Sequence, residues 1–500
     1  MPNDKDRGGF RYLTLFQTEN SVLNITDVTL EIGFQPTCEN LRAYKGYFHS
    51  NDQDLNEIWY SGANTLQTNC IARDTGRRLV CSVAGWGSSV VLGTGDTFLV
   101  DRAKRDRWFW PVDMGVAVPA AFVSTGEMES TRNSLQSMFD AQSDNGELPY
   151  SGQPRNSKGS DMYHMWSLVG TYNYVWYTGD INWLKSIWPM YQKALDFTYN
   201  KVTGSGLLHV DRDDDWGRYV NQINGSAPNM LLYRTLISGA RLANYLGSDL
   251  GSTDSAQAKT LSQNNLTHFW DETKGAFTDT PGKTGLWPQD SNSMAVVFGV
   301  VEAGSSYAQA VATYLTRNWT PIGSKSPGLP RNIFPFTSSI EIEAHFKAGR
   351  GDRADELIRS CCGWYLNNPN GTQSTVIEGY LQDGSFGYRD TRGYRNDKSY
   401  ISHSHGWSAG PTSALAEYLV GLQVEVPAGL EWRLKPVFAG VTEAQAGFTT
   451  LRGKFQAKWS IKDGQATVAW DFPLSTKGWI GIPGIEPFRT KGKEYRKVNL

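Results

Sequence analysis

DMYHMWSLVGTYNYVWYTGDINWLKSIWPMYQKALDFTY, residues Asp161–Tyr199, carries the punctuation that decides the architecture. Apolar residues recur at helical spacing as far as Tyr177, Gly179 then offers a left-handed stop, and Asp180 caps a new run reaching Tyr199. A glycine stop followed at once by a capping acid marks a tight αα-hairpin. Working outward, Asn51 can cap a helix carrying Leu55, Ile58, Trp59 and Leu66. The same period predicts Met114–Ser124, Met128–Ala141, Pro228–Leu246, Ser252–Trp270, Ser291–Val301 and Tyr307–Thr316. Thr337–Lys347, Asp352–Leu366 and Trp407–Val420 complete the set, and Gly351-Asp352 repeats the stop-and-cap signal. Twelve helices in six hairpins close most economically into an (α/α)6 toroid of six inner and six outer helices. An open solenoid would show a repeat of roughly 30–45 residues, and none is visible. In a toroid the loops at one end of the inner ring converge on a pocket, where a ligand is expected.

The flanks read differently. RYLTLF and the alternating NITDVTLEI predict strands with no earlier partner, a short N-terminal β remnant over residues 1–48. The chain reads as if it began inside a β domain, so the natural N-terminus, with a secretion signal, is expected to lie upstream. After the helical region (residues 49–424) the period returns to two. In KFQAKWSIKDGQATVAWDF, Phe455, Ala457, Trp459 and Ile461 alternate up to an Asp463-Gly464 turn, and Val468, Trp470 and Phe472 alternate back. Residues 425–500 therefore predict a C-terminal antiparallel β-sandwich, and the whole chain a mainly α fold.

Composition narrows the function. The 48 basic and 50 acidic residues leave a net charge of −2, which argues against nucleic acid or an anionic membrane held by bulk charge. No apolar run approaches the roughly 20 residues that span a bilayer. Seven His and five Cys disfavour a zinc protein or a disulfide scaffold. Cys70 and Cys81 could bridge, Cys361 and Cys362 are adjacent, and Cys38 is left over, so the redox compartment stays open. Five sequons, at Asn24, Asn224, Asn265, Asn318 and Asn370, lean modestly towards a secreted glycoprotein, although MPNDKDRGGF has no apolar signal core. The aromatic content stands out, with 18 Trp, 23 Tyr and 21 Phe.

Phosphate loops, HExxH, paired CxxC and GxSxG elbows are all missing. Carboxylates set among aromatics in the interhelical loops remain. That combination suits sugars, whose apolar faces stack on rings while acids and amides take the hydroxyls. Glycosidic cleavage also needs one carboxyl group to protonate the leaving oxygen and another to activate water or attack. DRAKRDRWFWPVD holds Asp101, Arg105, Asp106, Trp110 and Asp113; as a bare charge run it would be solvated, but three adjacent aromatics weaken that reading. Asp113 alone is as good an N-cap as a ligand contact. DRDDDWGRY sets three successive acids, ending in Asp215, before Trp216; the bland reading is an exposed acidic loop, and EF-hand features are missing. STVIEGYLQDGSFGYRD contributes Glu378, an ordinary acid beside glycine if taken alone. SYISHSHGWSAGP contributes His405, a residue type that more often caps or packs than catalyses.

In order along the chain, YKGYFHSNDQDLNEIWYSGANTLQTN, DRAKRDRWFWPVD, DDDWGRY, STVIEGY, SHSHGWSAGP and GLEWRLKPVFAG…GFTTLRGKFQAKW resemble the α-L-rhamnosidases of glycoside hydrolase family 78 in their fungal form. The resemblance implies an (α/α)6 domain flanked by β-sandwiches, with part of the N-terminal β domain lacking here. It implies inverting, single-displacement hydrolysis of terminal α-L-rhamnose from glycosides or oligosaccharides, without cofactor or metal. By motif position, Asp106 would be the general acid and Glu378 the general base. Asp101, Arg105 and Asp113 would bind rhamnose hydroxyls and orient the acid. Asp215 and Trp216 would supply a polar contact and a ring wall, His405 would hold a hydroxyl, and Trp166 would be a second wall. Trp110 joins the sugar-facing rings. Two departures stand out: Asp106 where many members carry Glu, and Pro111-Val112-Asp113 in place of a stretch ending in Gly-Asp. Asp106 would be kept protonated by burial or by Asp101 and Asp113, and Glu378 kept ionised by donors and solvent. The expected partner is a rhamnosylated small molecule or oligosaccharide, with no nucleic acid and no membrane. The rival readings are a rhamnosyl-glucuronate lyase on the same toroid and a non-catalytic carbohydrate-binding protein.

Overall fold

A computed structural model describes residues 14–78, 87–212, 215–218, 224–282, 285–389, 394 and 398–500. The opening hairpin forms as read. Asp161–Thr178 ends at Gly179, whose φ of 73° lets its N–H donate to Val175 O at 2.8 Å. Asp180 accepts from Trp183 N at 3.0 Å and starts Ile181–Tyr199. The first helix differs in detail: Gln53–Thr68 is capped by Asp52, while Asn51 Oδ1 accepts from Thr442 N and Glu443 N. Asn51 was expected to cap, but its side chain is engaged by the C-terminal sheet.

Six helices form an inner ring: Met114–Val123, Asp161–Thr178, Ser226–Leu246, Gln289–Phe298, Pro335–Lys347, and Gly410–Ala414 continued by a π-helical Leu415–Leu419. They touch in that cyclic order, and the last closes on the first. The outer ring is Gln53–Thr68, Glu129–Asp140, Ile181–Tyr199, Leu250–Phe269, Ser306–Leu315, and Gly351–Ile358 continued through a π-helical Arg359–Gly363 into Trp364–Leu366. This is the (α/α)6 toroid. Burial explains which helix goes where. Asp161–Thr178 is buried without interruption from Asp161 to Val175, whereas Ile181–Tyr199 buries one stripe, including Leu184, Ile187, Tyr191 and Ala194. Short turns follow the inner helices, so every long loop precedes the N-terminus of one. The pocket-forming loops therefore gather at the N-terminal ends of the inner ring.

The strands show two corrections. Residues 14–16 and 24–32 form no strand, and Val22, Val28, Leu30 and Ile32 are exposed. Alternation describes a strand's faces but supplies no edge to pair with. The N-terminal strand is instead Tyr47–Ser50, which pairs antiparallel with Glu443–Thr450. It joins the C-terminal sheet ordered Tyr47–Ser50, Glu443–Thr450, Gly453–Lys462, Gln465–Asp471, Lys493–Asn499. Asp463 and Gly464 both take positive φ, as a two-residue type I′ hairpin turn requires. The second sheet, Leu422–Val424, Glu431–Leu434, Lys477–Ile480 and Phe488–Thr490, is not wholly antiparallel: Glu431–Leu434 pairs parallel with Lys477–Ile480. The chain traverses most of the first sheet between those strands, and such a long crossover permits parallel pairing. Phe448 packs on Phe122 at the C-terminal end of an inner helix, so the β domain sits at the end opposite the long loops. Among the described residues no helix is long and apolar enough to cross a membrane.

Candidate active site

Strand Thr97–Leu99 lies on helix Glu129–Asp140 through Asn133 and Ser134, which donate to Thr97 O and Leu99 O. It delivers the chain to the loop Asp101–Trp110. Trp108 and Phe109 turn inward as anchors: Trp108 Nε1 donates to Arg77 O, and Phe109 O accepts from Gly152 N. Arg107 Nε pins the loop to Thr75 O. Asp106 and Arg107 both adopt positive φ, 55° and 54°, a conformation that such residues sustain only when their surroundings enforce it.

Arg102 is the hub. Its Nη1 donates to Asp106 Oδ2 at 2.7 Å, its Nη2 to Glu378 Oε1 at 2.9 Å and its Nε to His405 Nδ1 at 3.0 Å, with Asp101 Oδ2 at 3.1 Å from Nε. Arg105 repeats the bridge: Nη1 to Asp106 Oδ2 at 3.2 Å, Nη2 to Glu378 Oε2 at 2.9 Å. The guanidinium stacks on Tyr394 and Tyr400. Because one planar fork holds both carboxylates, the bridged oxygens of Asp106 and Glu378 stand no more than about 8 Å apart.

Glu378 also accepts from Tyr394 OH and from Ser402 N, and Trp407 Nε1 donates to its backbone carbonyl at 3.1 Å. Burial pushes its carboxyl up, but Arg102 and Arg105 outweigh it and hold the group far below the usual range. Donors were expected and are present. Solvent access was also expected and is missing, since Glu378 is 0% exposed. The groups hydrogen-bonded to Asp106 are the guanidiniums of Arg102 and Arg105. The raised carboxyls are Asp101 and Asp113, pushed up by burial and then by a neighbouring acid, Asp106 acting on Asp101 after Arg102's opposing pull and Asp101 acting on Asp113.

Asp113 makes no side-chain cap on helix Met114–Val123. It accepts from Trp407 N at 3.0 Å and lies 3.2 Å from His405 Nε2, short of hydrogen-bond alignment, while its Oδ2 has no hydrogen-bond partner. His405 is held neutral by burial and then by Arg102, accepts at Nδ1, and stacks on Trp407 at 4.1 Å. Trp110, half-buried, forms an aromatic corner with Tyr150 and Tyr163 at 6.0 and 5.7 Å. Tyr163's phenol is pushed up by burial and then by Asp215, with Asp113 adding to the rise and Arg389 and Arg102 opposing it. Trp216 is buried edge-on to Phe334 and donates from Nε1 to Asp290 Oδ2 at 3.0 Å. Arg218 clamps Asp290 through two hydrogen bonds, fixing that segment.

Asp101, Arg105, Asp106, Asp113, Glu378 and His405 thus meet directly at the N-terminal ends of the inner ring. Trp166 differs from expectation. It belongs to the core, between Phe298 and Phe336, with its ring so close that a Cβ on Gly115 would stand 2.3 Å from it. Asp213, Asp214, Tyr219, Asp390 and Cys81 lie outside the described residues; Cys70 Sγ sits 2.9 Å from Thr97 Oγ1. Sequence reasoning missed Arg102, although it stands inside the quoted run, four residues before Asp106. Tyr394, Ser402 and Trp407 carry no local signal, because folding alone brings them to Glu378. Among the described residues no group of three or more His, Cys, Asp or Glu is arranged to hold a metal.

Residues 90–321 match the bacterial alpha-L-rhamnosidase 6 hairpin glycosidase domain, and residues 420–497 the bacterial alpha-L-rhamnosidase C-terminal domain. No curated protein matches the chain. Similar solved structures include a family 78 rhamnosidase of a Bacillus species, at 19% identity and TM-score 0.69, over 88% of this chain and 43% of that one. The native alpha-L-rhamnosidase of Aspergillus terreus shares 16% identity, TM-score 0.68, over 91% and 50%. The Streptomyces avermitilis alpha-L-rhamnosidase complexed with L-rhamnose shares 15%, TM-score 0.66, over 91% and 41%. The chain therefore spans half or less of the length of these proteins, and at such identities the likeness is one of fold. Two domain models of bacterial alpha-L-rhamnosidases, a six-hairpin domain and a C-terminal domain, thus match the chain in this order, and solved rhamnosidases share its fold.

Proposed function

We propose that the chain is a glycoside hydrolase that releases terminal α-L-rhamnose with inversion. The observation that carries the reading is the pair Asp106 and Glu378, bridged by the same two guanidinium groups where the inner-helix loops converge. Asp106, the more exposed carboxyl, delivers a proton to the leaving glycosidic oxygen. Glu378 takes a proton from water attacking the anomeric carbon on the opposite face. The upper bound of about 8 Å admits both the roughly 6.5–9.5 Å of an inverting pair and the roughly 5 Å of a retaining one. Inversion therefore rests on the family resemblance and is tested by the anomer released. Trp110 and Tyr163 give the sugar a ring wall, while Asp113 Oδ2, Trp110 Nε1 and Arg105 Nε are buried polar atoms without hydrogen-bond partners, suited to hydroxyls. In the resting site donors saturate Glu378, so substrate hydroxyls must draw Arg105 or Tyr394 away before water reaches it.

The lyase reading gains from Tyr394 lying against Arg105. It loses because Arg102 and Arg105 are each already paired with both Asp106 and Glu378.

An aryl α-L-rhamnopyranoside should release nitrophenol. Asp106→Asn and Glu378→Gln should each lower kcat by about 10²–10⁴-fold. A wild type that cleaves nothing, or variants with full activity, would overturn the assignment. NMR should show the β-anomer first, and α first would mean retention; with a rhamnosyl-glucuronate oligosaccharide as substrate, an unsaturated uronate product would mean the lyase.

A further inference from the structure

The outer wall of the toroid carries a second pocket, whose lining shares no residue with the acid cluster. It lies between the start of helix Gln53–Thr68 and the end of the outer helix Gly351–Ile358 with its continuation to Leu366, and has a volume of about 380 Å³. That falls within the range of small-molecule sites. Its lining includes Trp364, Gly363, Arg359, Asn367, Asn368 and Asp54. We propose that it is a binding site for a neutral pyranose ring, separate from the active site.

Three observations carry this. Trp364 is half-buried and held in place by Tyr380, ring centroids 4.3 Å apart, so it offers a rigid aromatic surface. Two carboxamides, a carboxylate and a guanidinium around an indole are the groups that recognise hydroxyls above a stacked sugar face. Arg359 bonds Asp355 Oδ2 and pairs with Asp52 Oδ2, both at 2.9 Å, and Asp54 adds a further negative charge. The pocket therefore has no spare positive charge for a phosphate or carboxylate, and a neutral polyol fits it. Gly363 supplies the third observation. Its φ of −62° and ψ of −41° are helical, and a Cβ there would meet only Ile58 Cδ1 at 3.6 Å, ordinary contact. Helix formation favours alanine over glycine at such a position, and packing does not forbid one. A side chain at Gly363 would stand in the pocket, so the glycine keeps the pocket open.

The test is saturation-transfer NMR of the full chain with methyl α-L-rhamnopyranoside, methyl α-D-glucopyranoside and methyl β-D-galactopyranoside. At least one should bind at a site that survives Trp110→Ala with Tyr163→Ala, which removes the ring wall proposed for the active site. Gly363→Leu, and independently Asn367→Ala with Asn368→Ala, should weaken that site at least fivefold. Both should leave the melting temperature, and kcat and KM on the aryl rhamnoside, unchanged. Gly363→Ala should fold at least as stably as wild type. Three results would overturn the proposal: no pyranoside signal outside the active site, a second site insensitive to both substitutions, or a Gly363→Ala chain less stable than wild type. Because binding is read without turnover, the outcome is independent of the proposed hydrolysis.

Discussion

Arg102 shows what one residue decides. Its guanidinium is almost fully buried, touches Asp101, Asp106, Glu378 and His405, and is the shared support of the proposed acid and base. Arg102→Lys keeps the charge but not the planar fork, so one carboxylate loses its donor. We expect kcat on an aryl rhamnoside to fall at least tenfold in Arg102→Lys. Arg102→Met should fall further and lose about 3–5 kcal/mol of stability in urea titration, because buried carboxylates are left uncompensated. Equal activity in the lysine variant would show that charge alone suffices. The run DRAKRDRWFWPVD was legible as a site, yet its division of labour was not. Trp108 and Phe109 turned out to anchor the loop, and Arg102, unremarked in the sequence, became the hub. Linear order does not say which of two arginines points where.

At the scale of elements, the hairpin at Gly179 rests on backbone chemistry that a sequence displays directly. Gly179→Ala would force a left-handed φ on a side chain and bring its Cβ within 2.8 Å of Ala428 Cβ. The expected loss is about 1–2 kcal/mol, read as a lower urea midpoint with unchanged slope. Helix Asp161–Thr178 is tied to its neighbours less visibly. His164 Nδ1 accepts from Leu148 N, and its Nε2 bonds Ala194 O at 2.8 Å, so the ring works as a neutral cross-brace. Burial pushes its pKa down to about 4. Between about pH 6.5 and 4 the unfolded chain therefore binds the proton and the folded one does not, so stability falls as pH drops through that window. The contribution is about 3 kcal/mol. His164→Gln should flatten that part of the pH–stability curve, and an unchanged slope would assign the acid sensitivity elsewhere.

For the whole molecule, closure of six hairpins creates an axis with two ends. The end by the long loops holds the acids. Towards the other lies a cavity of about 100 Å³ lined by Trp166, Tyr177, Glu343, Lys347, Glu417 and Tyr418 among others. Tyr177 OH donates to Glu417, and Tyr418 OH to Glu343, both at 2.6 Å. Burial, and then Glu343, raises Glu417 to about 7. Between about pH 4.5 and 7 the folded chain binds this proton more readily than the unfolded one, so the group's contribution falls as pH rises, by up to about 3 kcal/mol. Glu417→Gln should gain stability relative to wild type at pH 8 but not at pH 4.5, measured by chemical denaturation. A gain independent of pH would point to packing instead.

Helix existence, hairpin pairing and the position of the acid-rich loops follow from the sequence alone, because helical period, glycine stops and capping acids are local physics. The ring then brings Asp106 and Glu378 onto shared arginines across 272 positions of chain. Only the tertiary structure decided that Glu378 is saturated with donors and hidden from solvent. It also took Tyr47–Ser50 into the C-terminal sheet and left the alternating residues 24–32 unpaired. Those outcomes depend on partners distant along the chain, and neither the period nor the composition of a segment contains its partner.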